Sequence, residues 1–266
     1  MNPTRTTLCF GLTLAATLFG MCFAISACAQ LPTDTRKSGY TYMAPATQAL
    51  QNDDSQNPAM LWVKDGEAVW QRTEGIAGKS CATCHGDAKK SMRGVAARFP
   101  AYSTAIGRVL NLQQQINLCR TSHQKTPSLS IEHQTLIALE SLIALQSRGM
   151  PIKPPVEPKL ADAQKKGEAL FNQRIGQIDL SCHDCHNNQP GRSLAGNLIP
   201  QAHPTGYPLY RLEWQGVGGL QRRLRNCMVG VRAEPYAFGS DEMVALEAYL
   251  TVRAAGMKLE APAVRP

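Results

Sequence analysis

Two five-residue segments, Cys81-Ala-Thr-Cys84-His85 and Cys182-His-Asp-Cys185-His186, stand 101 positions apart in a chain of 266 residues. Both read C-x-x-C-H. Two thiols three positions apart on a helical turn reach the two vinyl groups of one porphyrin, and the next residue, a histidine, then lies under the iron. The spacing predicts two covalent c-type haems, one held by Cys81 and Cys84 with His85 as axial ligand, the other by Cys182 and Cys185 with His186. A redox C-x-x-C or half a zinc site is the alternative. Zinc needs four nitrogen or sulfur ligands per site, and it leaves the repetition around the motifs without a purpose.

That repetition organises the chain. Gly66-Glu67-Ala68-Val69-Trp70 precedes the first motif as Gly167-Glu168-Ala169-Leu170-Phe171 precedes the second, each glycine 15 residues before its first haem cysteine. Leu112 to Cys119 matches Leu220 to Cys227, and Ala138-Leu139-Glu140 with Gly149-Met150 matches Ala245-Leu246-Glu247 with Gly256-Met257. Leu136, Leu139, Leu142 and Ile143, and likewise Met243, Leu246 and Leu250, recur at helical spacing. The expected fold is all-α: two tandem cytochrome c-like domains from an internal duplication, over 61–150 and 159–260, with an N-terminal extension over 30–60. Prolines 151, 154, 155 and 158 make 151–158 a stiff linker.

Residues 1–29 read as an export leader, with Arg5, an uncharged and mostly apolar run from Leu8 to Ala27, and Ala27-Cys28-Ala29 as the cleavage site. Ile25-Ser26-Ala27-Cys28 also fits a lipobox, which would acylate Cys28. The expected location is the periplasm. The formal charge is +8, and the leader holds only Arg5, which leaves +7. Export argues against nucleic acid as the partner, so an anionic substrate or an acidic protein is expected.

Of nine cysteines, six lie beyond the leader, and four of these are in the motifs. Cys119 and Cys227 remain, at matching repeat positions, and so do Met150 and Met257. Methionine is the common partner of histidine on haem iron, and a Cys119–Cys227 disulfide is an alternative use of the thiols. One cysteine per half fits a per-haem role better than one cross-domain bond, so Cys119 and Cys227 are the expected distal ligands.

The halves differ around these cysteines. Arg222, Arg223 and Arg225 precede Cys227 and Arg232 follows it, whereas Cys119 has neutral residues before it. Arg223 lies one helical turn before Cys227 on the same face, where a guanidinium can hold an oxyanion through two hydrogen bonds. A solvated basic helix face is the plainer reading, but a purely structural helix has no need to diverge toward arginine in one half alone.

Cys227-Met-Val-Gly-Val-Arg232-Ala-Glu234-Pro235, Gly239-Ser240 and Ala245-Leu246-Glu247-Ala-Tyr249-Leu250 resemble the signature of the SoxA family, the cytochrome subunit of the sulfur-oxidising SoxAX complex. Ser38-Gly39-Tyr40-Thr-Tyr42-Met43, Thr47-Gln48-Ala49 and Asn57-Pro58 resemble the same family, so the likeness runs from about residue 38 to 257. The resemblance implies an L-cysteine S-thiosulfotransferase that joins thiosulfate oxidatively to a cysteine of a SoxYZ-like carrier and passes electrons to a SoxX-like cytochrome partner. It implies that Cys227 ligates the active-site haem and is a persulfide in relatives, and that Arg223 acts in substrate binding or catalysis; Arg232, a neighbouring cation, is expected to share in binding the substrate. Some relatives carry a disulfide in place of the first haem; the retention of Cys81, Cys84, His85 and Cys119 implies the dihaem type. Two rival functions are an electron-transfer cytochrome with Met150 and Met257 as ligands, and another dihaem enzyme such as a thiosulfate dehydrogenase or a cytochrome peroxidase.

Overall fold

The apolar residues at helical spacing are buried in the computed structural model, which describes residues 34–266. The leader read over 1–29, and Cys28 with it, lies outside the described residues. A short 3-10 turn at Gly39–Tyr42 leads into α1 (Pro45–Asn52) and α2 (Ala59–Gln71). The first motif forms α3 (Cys81–His85), followed by α4 (Ala88–Ser91), a hairpin of β1 (Ala101–Ser103) and β2 (Arg108–Leu110), α5 (Leu112–Cys119) and α6 (Gln134–Leu145). The second half follows with α7 (Pro158–Asn172), α8 (Cys182–His186), the small hairpin β3 (Ser193–Leu194) and β4 (Asn197–Leu198), the hairpin β5 (Leu209–Arg211) and β6 (Gly216–Gly218), α9 (Leu220–Gly230), α10 (Asp241–Arg253) and β7 (Ala263–Arg265). The protein is helix-rich, and helix, attachment turn, hairpin, cysteine-bearing helix and long helix occur twice in that order.

The short strands are the departure from an all-α reading. β1–β2 and β3–β4 are antiparallel hairpins, and β6, β5 and β7 form a three-stranded sheet in which β7 runs parallel to β5. Strands of two or three residues are too short to carry an alternating pattern that a sequence reading can detect.

In each half a long helix pair builds the core. Val63, Val69 and Trp70 of α2 meet Leu136, Leu139, Leu142 and Ile143 of α6; Phe171 of α7 meets Met243, Leu246 and Leu250 of α10. The repeated glycines mark the crossings. A Cβ on Gly66 would stand 2.3 Å from the Ala138 carbonyl oxygen, and one on Gly167 would stand 1.9 Å from that of Ala245, so only glycine lets the backbones approach.

The halves are not separate beads on a linker. Ala144 and Ile152 pack with Ala254, Leu259 and Ala261, and Ala59 and Ile137 pack with Tyr210, Val217 and Val264. The turns after α6 and α10 exchange four hydrogen bonds: Gly149 N to Leu259 O (2.7 Å), Gly256 N to Ile152 O (2.8 Å), Leu259 N to Met150 O (2.9 Å) and Ile152 N to Met257 O (2.8 Å). Exchanging each residue for its repeat counterpart turns the first bond into the second and the third into the fourth, the pattern of a two-fold interface. Residues 151–153 of the proline stretch therefore belong to this seam, and Pro158 is the first residue of α7, capped by Glu157. Residues 39–57 pack on the second half and β7: the Asn57 side chain donates to Pro262 O (3.1 Å), and Gln51 Oε1 accepts from Val264 N (3.2 Å). No helix among the described residues is long and apolar enough to cross a membrane.

Candidate functional site

Both attachment segments are single helical turns, which are unstable without help from their ends. Each has a capping box. Ser80 Oγ accepts from Thr83 N (3.0 Å) while Thr83 Oγ1 accepts from Ser80 N (3.1 Å); Ser181 Oγ accepts from Asp184 N (3.1 Å) while Asp184 Oδ2 accepts from Ser181 N (2.9 Å). The caps hold Cys81 and Cys84, and Cys182 and Cys185, at the first and fourth positions of one turn, on one face.

In the second half this turn faces a cavity that opens to solvent. His186 of α8 and Cys227 and Arg223 of α9 line it, with Tyr207 and Arg211 beside them. His186 Nδ1 lies 2.7 Å from Pro200 O, which leaves Nε2 free to ligate a metal. Burial depresses the His186 basicity, the Arg223 and Arg253 charges act the same way, and the Pro200 contact opposes them. Burial also pushes the Cys182 thiol up to about 11, with Cys227 and Cys185 adding to the effect. A thioether carries no charge, so an environment hostile to thiolate suits an attached sulfur. The free imidazole nitrogen and the paired cysteines beside an open cavity fit a c-type haem.

Arg223 stays charged despite burial, which opposes its charge, because Cys227, Tyr207 and Glu213 hold its pKa above the ordinary value. None of the described ion pairs uses it. The other arginines of the basic run point elsewhere. Arg222 stacks on Trp214 (4.3 Å to the ring centroid), and Arg225 stacks on Phe238 (4.6 Å) and donates to the carbonyls of Pro235 and Tyr236. Arg232 is not brought to the cavity. α9 stops at Gly230, the chain reverses with Arg232 at a φ of +56°, and its exposed side chain lies in a surface depression with Gly176 and Gln177.

The first half repeats the design with different neighbours. Cys119 lies within electrostatic reach of Cys81, whose thiol burial pushes up to about 11, as Cys227 lies near Cys182. Gln115, the counterpart of Arg223, donates from Nε2 to Cys119 Sγ (3.7 Å). The Trp70 ring stands 5.8 Å from that of His85 and its indole donates to Gly86 O (2.9 Å). Met257 packs against the seam cluster and does not line the second cavity, where Cys227 stands with His186. Cys119 and Cys227 are free thiols, each in its own half. Among the described residues no three His, Cys, Asp or Glu side chains converge as a metal-ion site of the kind a zinc reading requires.

Tyr207, Arg211, Tyr42 and Arg265 also line the cavity and escaped the sequence reading. Arg211 had a signal. It stands 108 positions after Ser103, the same offset that relates Cys119 to Cys227, so it too is an arginine found only in the second half. Arg265 had none, because β7 lies outside the repeat.

The model of the SoxA/TsdA cytochrome c domain matches the chain twice, over residues 65–152 and 166–259. The SoxA subunit of L-cysteine S-thiosulfotransferase from Rhodovulum sulfidophilum is 38% identical over 232 residues, 87% of this chain and 81% of that protein. The subunit of the same name from Pseudaminobacter salicylatoxidans is 37% identical over 236 residues, 88% of this chain and 82% of its own length. The crystal structure of SoxXA from P. pantotrophus is similar with a TM-score of 0.84 and 32% identity, covering 87% of each chain.

Proposed function

The chain belongs to the SoxA family, and from that premise we propose that it carries two covalent haems in an internally duplicated scaffold, with the reaction site at the second. It is an L-cysteine S-thiosulfotransferase subunit, a c-type cytochrome that acts in the oxidative joining of thiosulfate to a protein cysteine. The observation that carries the site assignment is the single cavity lined by His186, Cys227 and Arg223.

Cys182 and Cys185 would hold the second haem, with His186 and Cys227 as the residues that would ligate its iron; Cys81, Cys84, His85 and Cys119 would do the same for the first. A haem so held supplies an iron that exchanges single electrons. The residues do the rest. Arg223, one turn before Cys227 and outside the described ion pairs, holds the thiosulfate dianion by paired hydrogen bonds. The sulfane sulfur bonds to the Cys227 thiolate, and two electrons leave. A carrier thiolate, from a SoxYZ-like protein, then attacks that sulfane sulfur and leaves with the S–SO₃⁻ group, returning Cys227 as thiolate. Thiolate ligation favours the ferric state, so the exit for electrons is a SoxX-like cytochrome bound to this chain. The position of Met257 in the seam weighs against a methionine-ligated cytochrome that only transfers electrons. The leader read over 1–29 supports a periplasmic site of action.

The test is intact mass and turnover of Cys227→Ala beside the wild type. Two haem additions in both proteins, with conjugation lost in the variant, are expected. Unchanged turnover would sink the mechanism, and a single haem addition would sink the dihaem reading.

A further inference from the structure

Arg211 is the third residue of β5, opposite Gly216 on β6 and Arg265 on β7. It is 8% exposed. A guanidinium offers five N–H donors and no acceptor. Its Nε donates to Glu213 Oε2 (2.8 Å), and the Glu213 side chain is itself 58% exposed, so water screens that pair. Trp214 lies 5.5 Å from the guanidinium carbon. The two η nitrogens have no acceptor among the described hydrogen bonds and ion pairs of Arg211.

Arg265, the cross-strand neighbour, is matched within the protein: it pairs with Glu260 and donates to Gln51 and to Val264 O. Gly39 and Gly206 leave room for it, since a Cβ on either would come within 2.8–2.9 Å of its guanidinium. Arg211 lines the same cavity with its η nitrogens unmatched. The Tyr207 phenol lies within electrostatic reach of Arg223, Cys227, Arg211 and Arg265. The repeat points the same way. Arg211 replaces Ser103 and Arg223 replaces Gln115, and both arginines border the cavity of Cys227.

We propose that Arg211 is a second anion-binding residue of the Cys227 cavity, its two η nitrogens receiving a carboxylate or thio-oxyanion in bidentate fashion while Arg223 holds the anion nearer the cysteine. The shared chemistry is a planar cation facing paired oxygens. Two sources fit: the thiosulfate dianion, or a carboxylate of the second haem. The inference rests on the reading of this cavity as a haem-bearing reaction site.

The experiment uses the holoprotein with its partner cytochrome, as wild type, Arg211→Gln and Arg211→Lys. Intact mass counts haems, circular dichroism checks folding, conjugation kinetics give kcat and KM for thiosulfate, and a spectroelectrochemical titration gives the second haem's midpoint potential. If the substrate is the source, KM in Arg211→Gln rises about tenfold, with kcat within about twofold of wild type and the potential unmoved. If the haem carboxylate is the source, the potential falls while KM holds, because a lost cation destabilises the more negative reduced state. Arg211→Lys keeps the charge but loses the fork, so it shifts the same quantity by less; it also carries the test if the glutamine variant does not fold. Wild-type KM and potential in a folded dihaem Arg211→Gln protein overturn the proposal. A wild type without haem at Cys182 and Cys185 overturns the haem-site reading instead, and a raised KM in Arg211→Gln then leaves the substrate arm standing.

Discussion

One helical turn before Cys119 and Cys227, the two halves place different side chains, and chemistry follows from that difference. Gln115 can give Cys119 only a neutral donor at 3.7 Å, whereas Arg223 gives the Cys227 site a half-buried cation that none of the described ion pairs uses. Arg223→Gln makes the second site resemble the first. Its kcat/KM for thiosulfate should fall on the order of 100-fold, as expected for losing a charge-assisted bidentate contact, while Arg232→Gln should stay within about twofold. Steady-state kinetics on both variants check this, and equal losses would show that the exposed turn belongs to the site. Arg223 was legible in the sequence because a spacing of four within a helix fixes a shared face. The position of Arg232 was not, because spacing says nothing about direction once the helix has ended at Gly230.

At the scale of elements, the two crossings α2–α6 and α7–α10 depend on glycines that the repeat singled out without giving a reason. The reason is contact: no Cβ fits between Gly167 and the Ala245 carbonyl. Gly167→Ala should destabilise the protein by about 1–3 kcal/mol, the usual cost of overpacking, which lowers Tm by roughly 2–12 °C for a chain of this size. Calorimetry of the variant tests it, with Ala169→Gly as a control away from the crossing; an unchanged Tm in Gly167→Ala would mean the helices slide apart freely. The long helices were legible because eight or more periodic residues outweigh local ambiguity. The β5–β7 pairing was not, because a three-residue parallel strand is specified by its partners and not by its own pattern.

The whole molecule is joined along a seam that holds repeat-related carboxyls. Glu140 and Glu247 line one cavity between the halves, together with Asn111, Leu112, Tyr207 and Leu220. Gln113 donates to Glu140 (2.8 Å) and Asn111 to Glu247 (3.4 Å), and Glu132 accepts from Gly219 N (3.1 Å) close by. Burial pushes Glu140 and Glu247 from the ordinary 4.5 up to about 8; neighbouring carboxylates add to the rise and the amide contacts oppose it. Between pH 4.5 and 8 the folded state then binds more protons than the unfolded chain, so these groups make stability fall as pH rises through that window, by at most about 1.4 kcal/mol per pH unit per proton. Urea midpoints at pH 5 and pH 8 should differ in that direction, and the difference should shrink in Glu140→Gln/Glu247→Gln; an equal difference in that double variant would clear these groups. The exchange-related seam also has a bearing on the order of assembly. The core around the first motif comes from residues 60–145, but the second cavity is walled by residues 39–43 and 265–266, separated by about 220 positions. Contacts close in sequence form early and distant ones late. The segment around Cys81 and Cys84 should therefore mature from local contacts while the second cavity stays open, leaving Cys182 and Cys185 accessible until the wall closes. Pulse-labelling hydrogen exchange during refolding should protect the amides of α5 and α6 before those of β5 and β7, and the reverse order would refute that sequence of events.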